Sequence, residues 1–210
     1  MKELAYQQWI ELANKYCSDE VVIQPHWERI LKKYSERGRY YHNLHHIWAM
    51  LRLCTQCKDE LKDPDTVRFS IWFHDLVYKS TNKDNEYKSA VLAKKMLESF
   101  SCTSEEIQKV YDFIMSTKNH QILDSSNSDN AYLLDFDLSI LGKPWKEYQN
   151  YTQQIRKEYK IYPNFLYNRG RKKVLRSFLN RDSLYFTEKY RTLYEAQARE
   201  NVKREIHLLS

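Results

Sequence analysis

Apolar side chains recur every three to four residues along almost the whole chain, the spacing that gives a helix one buried face. Leu4, Trp9, Ile10, Leu12 and Ala13 mark a first helix. Pro25 is expected to open a second, since proline suits a first helical turn. Trp27, Ile30, Leu31 and Tyr34 form its inner side, and Gly38 ends it. Asn43 to Cys57 predicts a third helix through Ile47, Met50, Leu51 and Cys54. Asp63-Pro64-Asp65 starts a fourth that runs through Val67, Ile71, Trp72 and Leu76, apolar enough to be buried. After the polar loop Lys79 to Lys83, Asp84 is placed to cap a fifth helix containing Ala90, Leu92, Ala93, Met96 and Leu97. Thr103 and Glu106 have capping-box spacing ahead of a helix that reaches about Thr117. Leu123 to Asn130, rich in Ser, Asn and Asp, predicts a loop. A short helix from Ala131 to Leu141 stops at Gly142, Pro144 opens a long one to about Tyr162, and Pro163 opens the next. Glu188 to Leu209 forms a last, charged amphipathic helix.

Composition agrees with an all-α chain. Only 3 Gly and 4 Pro punctuate 210 residues, which argues against a β-sandwich or a glycine-looped nucleotide fold. No GxGxxG, P-loop or GxSxG motif is present. With 42% hydrophobic residues the chain can bury one sizeable core, and nothing forces a second domain. The net charge of +6 suits an anionic substrate and an ordinary protein surface equally well. Its densest cluster is Arg169, Arg171, Lys172, Lys173 and Arg176. A nucleic-acid patch would need a recognition module beside it and none is visible, so a solvated helix face is the expectation. Cys54 and Cys57 have CxxC form, but inside a predicted helix and without the strand context of a redox motif. Met1 to Cys17 reads as an amphipathic helix and not as a signal peptide. No apolar run approaches the ~20 residues that span a bilayer, so no membrane partner and a cytoplasmic location are expected.

Two segments concentrate chemistry: Tyr41-His-Asn-Leu-His-His46 and Trp72-Phe-His-Asp75, with Asp135-Phe-Asp137 further on. His42 and His46 are four apart, which puts them on one face of a helix, and His45 lies near that face. Three histidines in five positions behind two tyrosines point to function more than to packing. Asp75 follows the apolar run Ile71-Trp72-Phe73. It either faces solvent at a helix end or needs compensation, because a buried carboxylate otherwise costs several kcal/mol. The order His … His-Asp … Asp supplies nitrogen and oxygen donors suited to Mn, Fe, Co, Ni, Zn or Mg. No cysteine lies in the set, which argues against a structural thiolate zinc. An ion with few protein ligands keeps positions open for water and substrate.

These segments resemble the HD-domain metal-dependent phosphohydrolase superfamily, and more narrowly its small "predicted metal-dependent HD phosphohydrolase" family. The likeness is carried by Arg39-Tyr-Tyr-His-Asn-Leu-His-His-Ile47, Trp72-Phe-His-Asp-Leu-Val-Tyr78, Asn85-Glu-Tyr-Lys-Ser-Ala90 and Thr117-Lys-Asn-His120. It continues through Asp135-Phe-Asp-Leu-Ser-Ile-Leu-Gly142, Gly170-Arg171 and Glu195-Ala-Gln-Ala-Arg-Glu-Asn201. It implies one HD-type helical bundle over residues 1–210, with a signature core at about 39–142 and C-terminal helices at about 144–209 packing on it. It also implies His46, His74, Asp75 and Asp137 as metal ligands, with His45 and Asp135 as substitutes for their neighbours. The Tyr-His-Asn-x-x-His form resembles the opening motif of cyclic-nucleotide phosphodiesterases, which implies His42 as the acid that protonates the leaving oxygen.

His120 is placed for a second metal, or is simply a helix-end histidine near a C-terminal dipole. Glu86 is either a general base or water-positioning carboxylate, or an acid favoured by its helix N-terminus. Arg39, Lys79 and Arg171 are candidates to bind phosphate oxygens. The expected activity is hydrolysis of a phosphate ester or anhydride, possibly of a nucleotide, on a small anionic substrate with a divalent cofactor. The alternatives are a non-catalytic nucleotide-sensing HD domain and an iron-dependent HD-type oxygenase. Substrate, metal identity and number, and oligomeric state are not fixed by these motifs.

Overall fold

The computed structural model describes residues 1–123 and 128–209. Among them are ten α-helices and no strand. The helices are α1 (Lys2–Ala13), α2 (Glu20–Tyr34), α3 (Leu44–Gln56), α4 (Pro64–Phe73), α5 (Asn85–Leu97), α6 (Ser104–Thr117), α7 (Ser128–Leu138), α8 (Trp145–Glu158), α9 (Asn164–Leu179) and α10 (Glu188–Leu208). Short 3-10 turns cover Lys58–Glu60 and Ser139–Gly142. No described helix is long and apolar enough to cross a membrane.

Caps written in the sequence set several boundaries. The Asn43 side chain accepts the His45 N–H at the start of α3, and Asp63 accepts the Thr66 N–H at the start of α4. The Thr103–Glu106 capping box forms in full. Four expectations are corrected. Pro25 does not open α2 but lies inside it, because Asp19 caps the helix at Val21. The carbonyl that loses its donor to Pro25 belongs to Val21, which is exposed and open to water. Asp84 precedes α5 as expected, but its side chain makes no cap; it pairs with Lys88 at 2.9 Å. The fourth helix stops at Phe73 and does not continue to Leu76. The predicted loop from Leu123 to Asn130 ends early, since α7 begins at Ser128; its positions 124–127 lie outside the described residues.

The chain forms two compact units, Met1–Leu133 and Leu134–Ser210. The sequence offers no break at this point, and the boundary falls within α7. The first unit packs around aromatic rings. Trp9 of α1 meets Trp72 and Phe73 of α4, each at 5.9 Å between centroids, and Phe100 at 6.0 Å. Burying an apolar side chain such as Phe73 stabilises by roughly 1.5–3 kcal/mol. Cys54 and Cys57 are free and buried, and burial pushes the Cys54 thiol up to about 12, so it is protonated and unreactive. The second unit has its own aromatic core of Phe136, Tyr148, Tyr185 and Tyr190. Gly142 is required there, since a Cβ would lie 2.4 Å from the Tyr194 Cβ.

Candidate metal centre

The termination of α4 builds the site. His74 is the C-cap of that helix and Asp75 follows it, so adjacent residues leave the helix together at its carboxyl end. Opposite them, the cap at Asn43 starts α3 two residues before His45, and the first turn carries His46 inward while His45 stays exposed. Arg39 locks the two segments in register. Its guanidinium donates to the carbonyls of His42 at 3.1 Å, Asp75 at 2.6 Å and Leu76 at 2.9 Å. The same group lies between the rings of Tyr34 and Tyr78, 5.2 and 5.6 Å from their centroids. Tyr34 in turn donates its hydroxyl to the Trp72 carbonyl at 2.9 Å. The loop beyond Asp75 is fixed to α5. The Ser89 hydroxyl accepts the Val77 N–H, and the Asn85 amide bridges the N–H and carbonyl of Lys79.

His46, His74 and Asp75 converge, with one ligand atom of each inside a common span of 4.8 Å. The Nε2 atoms of His46 and His74 are 3.3 Å apart. Asp75 Oδ2 is 3.2 Å from His74 Nε2 and 3.9 Å from His46 Nε2. Donors held about 2.0–2.2 Å from one ion at 90–110° stand roughly 3–3.5 Å from each other, so two of the three separations match and the third is slightly wide.

The donor chemistry also fits a cation. His74 Nδ1 lies 3.0 Å from the Ile71 carbonyl, which can only accept, so Nδ1 carries a proton. In a neutral ring Nε2 is then a bare lone pair, and it faces a carboxylate oxygen and a second imidazole nitrogen. Three lone pairs meet at one point unless a proton or a metal ion lies among them. The Nδ1–carbonyl bond is also the contact by which metal-binding histidines are oriented. Burial alone would raise the Asp75 carboxyl, but His74 first, then His42 and His46, outweigh it and hold the carboxyl well below its usual range.

His42 lies beside this group, half-buried. Its ring stacks on Tyr78 at 4.2 Å and is 6.1 Å from the His46 ring. Tyr41 closes the other side, 4.8 Å from the His46 ring. Sequence reasoning assigned no role to Tyr41 or Tyr78; the signals were the place of Tyr41 just ahead of the histidines and the presence of both in the segments that carry the resemblance.

The remaining expected residues lie as follows. His45 is exposed, and Glu86 is half-buried in the first turn of α5. His120 follows α6 with a left-handed φ of 47°, and neither His120 nor Glu86 belongs to the converging group. Lys79 is exposed on the loop ahead of α5. Arg39 has its guanidinium committed to three carbonyls.

In the second unit, Asp137 is half-buried on α7. Its neighbour Asp135 is fully buried and accepts from the Phe186 N–H (2.7 Å), the Thr187 N–H (2.8 Å) and the Thr187 hydroxyl (2.7 Å). Asp135 therefore anchors the chain entering α10. Arg171 is buried against Glu205, with Nε 2.8 Å from Oε1 and Nη2 3.1 Å from Oε2. Tyr148 donates to the same carboxylate, and Arg171 donates to the Tyr151 hydroxyl at 3.3 Å. Glu195, Arg199 and Asn201, all on α10, bind backbone groups. Glu195 takes the Leu184 N–H, Arg199 the carbonyls of Leu179 and Arg181, and Asn201 those of Leu141 and Lys143.

No protein-family model, curated protein or solved structure matches the chain.

Proposed function

We propose that the protein is a metal-dependent phosphohydrolase that cleaves a phosphate ester or anhydride, possibly of a nucleotide. One observation carries this reading: the ligand atoms of His46, His74 and Asp75 converge, with the His74 tautomer set by the Ile71 carbonyl. The resemblance of the flanking motifs to HD-type phosphohydrolases supports it. A divalent ion held by these three residues would supply an acidified water and polarise a phosphoryl oxygen.

The chain's own groups do the rest. Asp75 adds the negative charge that a dication needs. His74 is fixed in orientation by its Nδ1 bond. His42 is held at the rim by its stack on Tyr78, where it donates a proton to the departing oxygen.

Elemental analysis of purified wild type beside Asp75→Ala, with a panel of phosphate esters and nucleotides under added Mn, Co, Ni and Mg, tests the reading. The expected result is bound metal and phosphate release, both lost in the variant. Wild type that binds no metal and releases no phosphate under any ion overturns it in favour of a ligand-sensing domain. Bound iron with dioxygen-dependent turnover overturns it in favour of an oxygenase.

A further inference from the structure

The basic cluster of α9 has no part in the chemistry above. The helix carries Arg169, Arg171, Lys172, Lys173 and Arg176 and no acidic residue. Only Arg171 turns inward, to Glu205. Among the described residues, Arg169, Lys172, Lys173 and Arg176 make no ion pair or side-chain hydrogen bond. Arg169, Lys173 and Arg176 line an open groove of about 780 Å3, together with Leu166, Gly170 and Asn180. These positions follow one face of the helix, and Leu166 to Asn180 spans about 21 Å at 1.5 Å per residue. The cations are thus set in a line and not in a cluster.

Two features do not follow from folding. Gly170 sits within the helix, where glycine costs roughly 0.5–1 kcal/mol relative to alanine, yet a Cβ there would meet nothing within 4 Å. Packing does not require it, while a partner approaching the helix backbone would. At the head of the adjoining face, where it lines a second open groove with Asn168, Arg169, Lys172 and Arg176, Phe165 is 71% exposed, and Leu166 beside it is 47% exposed. A line of unpaired cations with a bare aromatic ring at one end complements a flexible polyanion whose bases can stack. A flat anionic membrane would be matched better by an apolar centre flanked by charge, and here the cations hold the centre of the face.

We propose that this face of α9 docks single-stranded nucleic acid. Arg169, Lys173 and Arg176 contact successive phosphates, the small side of Gly170 allows close approach, and Phe165 stacks a base. Such contacts are independent of base sequence. The proposal does not depend on the metal centre.

Fluorescence anisotropy of the full chain with 5′-labelled oligouridylate and oligothymidylate tests it. The comparison is with a triple variant, Arg169→Gln, Lys173→Gln and Arg176→Gln, whose residues have no partner to lose, so thermal melting should be unchanged. Three phosphate contacts on a single strand give a log–log salt slope of about −2, or roughly twentyfold weaker binding between about 50 and 200 mM salt. The triple variant should bind at least tenfold more weakly at low salt, and Phe165→Ala should weaken binding with the salt slope unchanged. No binding by wild type, or equal binding by the folded triple variant, overturns the proposal. Binding to phosphatidylserine vesicles or to polyglutamate in preference to either oligonucleotide also overturns it, in favour of a lipid or acidic-protein partner.

Discussion

At Asp75 two effects oppose each other. Burial disfavours the carboxylate, while His74, His42 and His46 favour it and prevail. A carboxyl depressed in the folded state stabilises the fold above its ordinary value of 3.8, and that contribution is lost as pH falls through this value toward the folded one. Metal-free wild type should therefore lose stability faster than metal-free Asp75→Asn between about pH 5 and pH 3. Urea midpoints of both proteins across that range check it; parallel curves would mean that the histidines do not stabilise the carboxylate. His42 makes a different kind of contribution. It lies outside the converging group, so His42→Ala should keep its bound metal while turnover falls by about 10²–10⁴. Unchanged turnover would remove His42 as the acid.

Helix ends, more than helix faces, position the candidate site. The α4 helix stops at Phe73, and the α3 helix begins at a cap that places His46 one turn inside. Arg39 holds these ends together through three carbonyls, which is not the phosphate contact expected of an exposed arginine. Lysine keeps the charge but lacks the planar fork that reaches several acceptors. Both Arg39→Lys and Arg39→Ala should then lower stability, by about 2–4 kcal/mol in urea unfolding. Arg39→Lys with native stability and a raised KM would instead mark a phosphate-binding cation. The caps at Asn43, Asp63 and Thr103 were legible in the sequence because a cap is a local hydrogen bond. The early end of α4 was not, since nothing local forbids helix through Leu76.

At the scale of the whole molecule, each of the two units has its own buried aromatic core, and the second adds a buried polar network. Arg171 is held charged despite burial because Tyr151 and Glu205 face it. Burial and the Glu205 carboxylate push the Tyr148 hydroxyl well above its usual range, so it remains a donor. Removing one member of a buried charged pair strands the other, so Arg171→Gln should destabilise by about 3–5 kcal/mol. Chemical denaturation measures this. A variant of normal stability that loses only substrate affinity would restore Arg171 as a phosphate contact. The sequence placed Arg171 in a run of cations, and spacing alone could not separate the one that pairs from those that face water.

Hydrophobic periodicity by itself determined the all-helical class, the order of the helices and most of their limits, because a 3.6-residue period and its caps act over a few neighbouring residues. Donor chemistry by itself singled out His42, His45, His46, His74, Asp75, Asp135 and Asp137 as residues to watch. Only the tertiary structure decided that His46, His74 and Asp75 meet within 4.8 Å, that Asp135 braces the start of α10, and that Arg39 and Arg171 are engaged inside the protein. Those outcomes depend on contacts between residues 28 to 52 positions apart, for example His46 with His74 and Asp135 with Thr187. Such contacts are set by how helices pack, and no local spacing encodes them.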